Sequence, residues 1–178
     1  MLICGNSKLN LSKDIGKTID INYDEIVRFN AFQTKGYEKY IGTKTTTWVC
    51  SLGKYKKTLK ESFLNSSYKK ILCNKSKCEN DILKQNYLQH KDILILDKIV
   101  NDTYMKNTNY PKKYFMSNGF LIILYFLSKY KSLTITNFEF NHEHYYGNRK
   151  KPKWKNHDWK FEKQYIQNLI DKNIIKEI

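Results

Sequence analysis

Met1-Leu2-Ile3-Cys4-Gly5-Asn6-Ser7 opens the chain. Its short apolar run reads as a β-strand, and Gly5 with the small polar residues after it lets a ligand approach the backbone closely. Taken alone, a plain strand-to-loop turn is the simpler account of Gly5–Ser7. The same pattern recurs along the chain. Further strands are predicted near Glu25–Phe29, Thr47–Ser51, Lys70–Cys73, Ile93–Leu96, Leu133–Phe138 and Ile174–Glu177, with the first over Met1–Cys4. Between them, helical patterns cover roughly Lys56–Asn65, Glu79–Gln89, Asn118–Tyr130 and Asp158–Lys172. The last places Phe161, Tyr165, Ile166, Leu169 and Ile170 on one face. This alternation predicts an α/β domain with a largely parallel sheet and helices on both faces. A length of 178 residues suits one domain, residues 1–178, with a sizeable core. In such folds ligands bind beyond the carboxyl ends of the strands, so residues just after strands are the first to inspect.

The composition narrows the partners. Lys and Arg number 32 against 17 Asp and Glu, a net charge of +15, which suits an anionic partner. Nucleic acid, an acidic membrane surface, and phosphorylated or carboxylated small substrates all fit. The Lys-rich and Asn-rich usage also matches an AT-rich coding bias, so the charge by itself names none of them. From Met1 the chain runs straight into a strand pattern, so no cleavable leader is expected. Its longest apolar run, Phe120–Leu127, falls short of the about 20 residues that span a bilayer. The expectation is a soluble cytoplasmic protein, at most peripheral to a membrane. Cys4, Cys50, Cys73 and Cys78 are irregularly spaced, and no second pair or nearby His cluster completes a zinc site around Cys73 and Cys78. They read as reduced structural cysteines.

Several residues can carry chemistry. Asn6 offers both donors and an acceptor at the end of the first strand, and Asn30 holds the matching position after Ile26-Val27-Arg28-Phe29. Two asparagines at neighbouring strand ends can grip a ribose and a phosphate. Arg28 reads equally as a site residue or as a buried structural ion-pair member. Ser117-Asn118-Gly119 opens an apolar helix, where Ser117 is either a simple N-cap or part of an anion site. His142, His144 and His157 cluster in the last third. An H-E-x-x-H pattern, a D-x-D pair, a G-x-G-x-x-G fingerprint and a G-x4-G-K-[ST] loop are all absent from the sequence. His157, directly before a helix start, is a natural general base, although a lone histidine there is more often structural.

In order along the chain, Gly5-Asn6-Ser7, Ile19-Asp20, Arg28-Phe29-Asn30 and Gly42-Thr43-Lys44-Thr45 resemble the long motif of glycosyltransferase family 29, the animal-type sialyltransferases. Ser117-Asn118-Gly119 through Asn137-Phe138 resembles the family's short motif. His144-Tyr145-Tyr146 resembles its third motif, and His157 with Glu162 its very short H-x4-E motif. The sequence departs from that pattern at Asn118, where threonine is usual, at Asn137, where glycine is usual, and at Gly147, where an acidic residue is common. The family's bridge between the long and short motifs cannot form, because residues 111–140 contain no Cys.

The resemblance implies a Rossmann-like, variant GT-A-like fold and an inverting, metal-independent transfer from a CMP-sugar, CMP-sialic acid foremost, to a glycan or glycolipid hydroxyl. It implies that Asn6, Ser7 and Asn30 contact the cytidine monophosphate, that Ser117, Asn118 and Gly119 help bind the nucleotide, and that His144 contacts the donor's phosphate or carboxylate. His157 is then the base, with Gly5, Arg28, Thr43, Tyr145 and Glu162 in support and no cofactor. Transfer from CMP-Kdo is an alternative within the same class. The rival from another class is a basic single-stranded nucleic-acid-binding protein, suggested by 14 Tyr interleaved with Lys and by Lys150-Lys151-Pro152-Lys153-Trp154-Lys155. No recognisable nucleic-acid-binding motif accompanies that patch, so no nucleic-acid partner is expected.

Overall fold

The computed structural model describes residues 1–7, 13–51, 66–73, 93–140 and 156–178. The helical patterns at Lys56–Asn65 and Glu79–Gln89, the residues His142, His144, Tyr145 and Gly147, and the basic stretch Lys150–Lys155 lie outside the described residues.

The elements run β1 (Leu2–Cys4), α1 (Gly16–Asn22), β2 (Ile26–Phe29), α2 (Glu38–Ile41), β3 (Thr47–Ser51), β4 (Lys69–Cys73), β5 (Ile93–Leu96), α3 (Lys98–Asn107), α4 (Asn118–Leu127), β6 (Leu133–Thr136), α5 (Trp159–Asp171) and β7 (Ile175–Glu177). The seven strands form one sheet in the order β5-β4-β3-β2-β1-β6-β7. Every neighbouring pair is parallel. Strand β1 is paired on one side with β2 and on the other with β6, Cys4 standing opposite Arg28 and Thr136. The chain moves outward from β1 in one direction through β5 and then returns to the other side. In parallel α/β sheets such a reversal is where a ligand crevice forms, which here is at the carboxyl ends of β1, β2 and β6.

Pleating sends the side chains of β1 to two cores. Leu2 and Cys4 pack with Ile19 of α1 and Ile26 of β2, whereas Ile3 joins the larger core of α4, with Ile166 of α5. Burial pushes the Cys4 thiol up to about 11, so it stays protonated and chemically quiet. Cys50 and Cys73 are buried as well, and neither they nor Cys4 enters a disulfide.

Helix α4 is apolar nearly all round because it is covered nearly all round: Phe120, Leu121, Ile122 and Ile123 have no exposed surface. Ser117 caps it, its Oγ accepting from the Phe120 N–H at 3.0 Å. The helix stops at Leu127, three residues short of the predicted Tyr130, with Ser128 as its C-cap. Strand β6 also stops early, at Thr136 instead of Phe138, because Asn137 turns left-handed at φ 59°. Among the described residues, α1, α2 and α3 were not anticipated: α1 and α2 are short, and α3 buries only Asn101. Among the described residues no helix is long and apolar enough to cross a membrane.

Phe120 locks α4 to its neighbours. Its ring lies 5.9 Å from Tyr110, 6.3 Å from Phe161 and 5.4 Å from Tyr165, the last two on α5. Truncating it to alanine leaves a cavity between α4 and α5. Phe120→Ala is expected to cost about 3–5 kcal/mol, read from urea unfolding midpoints.

Candidate active site

At the end of β1 the chain passes within touching distance of the turn after β6. A Cβ on Gly5 would lie 2.1 Å from the Asn137 carbonyl oxygen, so only glycine fits. The Gly5 N–H donates to Thr136 O at 2.8 Å, and the Ser7 N–H donates to Asn137 O at 3.2 Å. Ser7 Oγ in turn accepts from the Glu139 N–H at 3.0 Å. Asn6, nearly buried, donates through Nδ2 to the Phe29 carbonyl at 2.9 Å, which ties the ends of β1 and β2 together.

Asn30 follows β2 with φ 55°, its N–H on Val49 O and its own carbonyl accepting from the Trp48 indole at 2.8 Å. Its backbone is thus fixed, yet its buried Oδ1 has no hydrogen-bond partner. Asn137, on the far side of β1, repeats this: left-handed backbone, buried Nδ2 without a partner. Both residues directly follow the strands that flank β1, Asn30 after β2 and Asn137 after β6.

Helix α4 points its N-terminus at the same place. Asn118 Nδ2 donates to Ser51 Oγ, at the end of β3, at 2.8 Å. A Cβ on Gly119 would fall 2.7 Å from the Phe138 ring, so the first turn rests directly on the segment after β6. Backbone N–H groups in that turn lack intrahelical acceptors and attract anions.

His157 and Glu162 reach this helix terminus by separate routes. Glu162 has no exposed surface; its Oε1 accepts from the Ser117 N–H at 2.8 Å and from the Tyr110 hydroxyl at 2.9 Å. Burial, then the Glu162 charge, pushes the Tyr110 hydroxyl far above its ordinary value, so it stays protonated and available as a donor. The same hydroxyl accepts from the Asp158 N–H at 3.0 Å. Asp158 caps α5 by accepting from the Phe161 N–H at 3.0 Å. One residue earlier, half-buried His157 sets Nδ1 2.6 Å from the Phe115 carbonyl oxygen. A carbonyl can only accept, so Nδ1 carries the proton and the neutral ring has its lone pair on Nε2.

Two long-motif residues serve elsewhere. Thr43 precedes β3 and so lies toward the amino edge of the sheet, opposite the crevice. Its N–H and hydroxyl, with the Lys44 N–H, bind the Asp20 carboxylate at 2.8–3.0 Å. Arg28 is buried and directs its guanidinium to Ile41 O at 2.6 Å, Lys44 O at 3.2 Å and Thr45 Oγ1 at 3.1 Å. Of the two readings of Arg28, the structure supports a buried fastening, made to carbonyls and a hydroxyl. Four contributors were not singled out from sequence: Ser51, Tyr110, the Phe115 carbonyl and the side chain of Asn137. For Asn137 a signal existed, since an asparagine ending a strand repeats the pattern of Asn6 and Asn30.

The sequence model of glycosyltransferase family 29 (sialyltransferase) matches residues 2–119. A search of curated proteins finds no match. Among solved structures, a mammalian sialyltransferase in complex with Gal-beta-1-3GalNAc-ortho-nitrophenol is similar at 20% identity and TM-score 0.73, covering 99% of this chain and 68% of that one. A second crystal structure of a mammalian sialyltransferase is similar at 19% identity and TM-score 0.75, covering 99% of this chain and 67% of that one. At such identities the likeness is one of fold, and that fold is GT-A-like.

The Asp20 cluster yields a signed pH dependence. Desolvation alone would raise the Asp20 carboxyl, but hydrogen bonds from Thr43 and Lys44, with the Arg28 charge, outweigh it and hold it below its ordinary value. Its stabilisation is therefore fully present above the unfolded value of about 3.9 and is lost as pH falls through the lower folded value. Screened by solvent, Asp20→Asn should cost about 1 kcal/mol at pH 7. In urea unfolding the gap from the wild type should close progressively below about pH 4.

Proposed function

The chain belongs to glycosyltransferase family 29, the sialyltransferases, and on that footing we propose that it moves sialic acid from CMP-sialic acid to a glycan hydroxyl, with His157 as general base. The observation that carries this reading is the His157 ring, held by Nδ1 on Phe115 O beside the anion-attracting terminus of α4. A proton on Nδ1 leaves the lone pair of the neutral ring on Nε2, the basic atom that this reading requires.

Nε2 takes the proton of the acceptor hydroxyl as its oxygen attacks the anomeric carbon. The bond to CMP breaks on the opposite face, the electron pair leaves with the phosphate, and the anomeric centre inverts. The phosphate charge grows where the first-turn N–H groups of α4 point, so N–H donors can carry it without a metal ion. Asn6 and Asn30 hold the nucleotide at the ends of β1 and β2. His144 is assigned to the donor's phosphate or carboxylate on the family resemblance. The chain's +15 charge suits a donor that bears both. The acceptor is a free glycan or a glycolipid headgroup, and the disaccharide compound bound in one neighbouring structure supports that class.

Thermal stabilisation should be selective for CMP over AMP, UMP and a single-stranded oligonucleotide. A salt-sensitive shift with the oligonucleotide and none with CMP would overturn the reading. His157→Ala should lower transfer by about 10²–10⁴-fold while CMP stabilisation persists. Undiminished turnover in that variant would remove His157 as the base.

A further inference from the structure

Asn137 carries an oddity that its backbone role does not explain. A left-handed residue is needed after β6, at φ 59°, and glycine would supply it at less cost. Asparagine instead brings an amide whose Nδ2 is buried with no partner. A buried donor left unmatched lowers the stability of the folded state, so a role outside the fold accounts for it better than the turn does.

The surroundings say which role. Asn137 adjoins Gly5 at the topological reversal, its carbonyl already taken by the Ser7 N–H. The next residue, Phe138, lies directly against Gly119 in the first turn of α4. Asn137 therefore stands beside the part of the crevice most favourable to an anion. On the other side of β1, Asn30 presents a buried Oδ1 that equally lacks a partner. With strands about 4.8 Å apart, the backbone positions of Asn30 and Asn137 stand about 10 Å from each other, the scale of a nucleotide. The first turn of α4 spans the two sides, with Asn118 on Ser51 at the end of β3 and Gly119 against Phe138 after β6.

We propose that the Asn137 side-chain amide donates a hydrogen bond to the phosphate of bound CMP, sharing it with the first turn of α4. This rests on the CMP-sugar reading above and adds to it a phosphate-binding residue. Rotation about the Cβ–Cγ bond, a broad torsion in asparagine, turns Nδ2 into the crevice when the phosphate arrives.

Isothermal titration of CMP and cytidine into the wild type, Asn137→Gly and Asn137→Asp tests it. Glycine keeps the left-handed turn, so its melting temperature should not fall below the wild type's. It should weaken CMP by about tenfold and leave cytidine unchanged. Aspartate, nearly the same shape but with an anionic oxygen facing the phosphate, should weaken CMP further. Unchanged CMP affinity in Asn137→Gly overturns the proposal, as does an equal loss for cytidine, which would put the amide on the nucleoside. Wild-type protein that fails to bind CMP overturns the underlying reading as well.

Discussion

A carboxylate without solvent contact needs hydrogen bonds, and Glu162 draws two onto one oxygen, Oε1, from the Ser117 N–H and the Tyr110 hydroxyl. Those two bonds join segments 45 and 52 residues apart in sequence. They fix the start of α4 against the first turn of α5, and with it the Phe115 carbonyl that orients His157. Tyr110 extends the junction to the Asp158 N–H, so the N-termini of both helices converge on one hydroxyl and one carboxylate. The H-x4-E spacing thus joins two contacts: histidine sets Nδ1 on the Phe115 carbonyl, while the buried glutamate holds the Ser117 N–H two residues further on.

The parallel sheet supplies the other half of the site. Because β1 is flanked by β2 and β6 in parallel, the residues after all three strands emerge on one edge. Glycine at position 5 lets the β1 and β6 segments touch, and left-handed asparagines at 30 and 137 turn the chain while keeping amides near the crevice. The long motif divides across the sheet. Gly5, Asn6, Ser7 and Asn30 lie on the carboxyl edge, while Asp20, Thr43 and the carbonyls that hold Arg28 form a fastening near the amino edge. A single motif therefore mixes residues able to meet a ligand with residues that set the register of β2 and β3.

The seven strands named above were legible in the sequence as short stretches built on apolar residues, β7 resting on Ile174 and Ile175, and the parallel α/β class followed from their alternation with helices. Helix α3 was not, since it buries little apolar surface and is announced mainly by Asp97, whose carboxylate caps the Val100 N–H. His157, Asn6, Asn30 and Ser117 were legible as strand-end or helix-start residues. The partners of Glu162 and the fastening role of Thr43 were not, because both depend on contacts between segments far apart in sequence. Arg28 could be read two ways until its three acceptors were in place.

A crystal structure of the protein with CMP tests the central claim most directly. The account predicts the nucleotide along the carboxyl ends of β1, β2 and β6, with its phosphate within hydrogen-bond distance of the Asn118 and Gly119 N–H groups and on the same side as His157. CMP bound at the amino edge against the Asp20–Thr45 fastening, or nowhere on the chain, would contradict it.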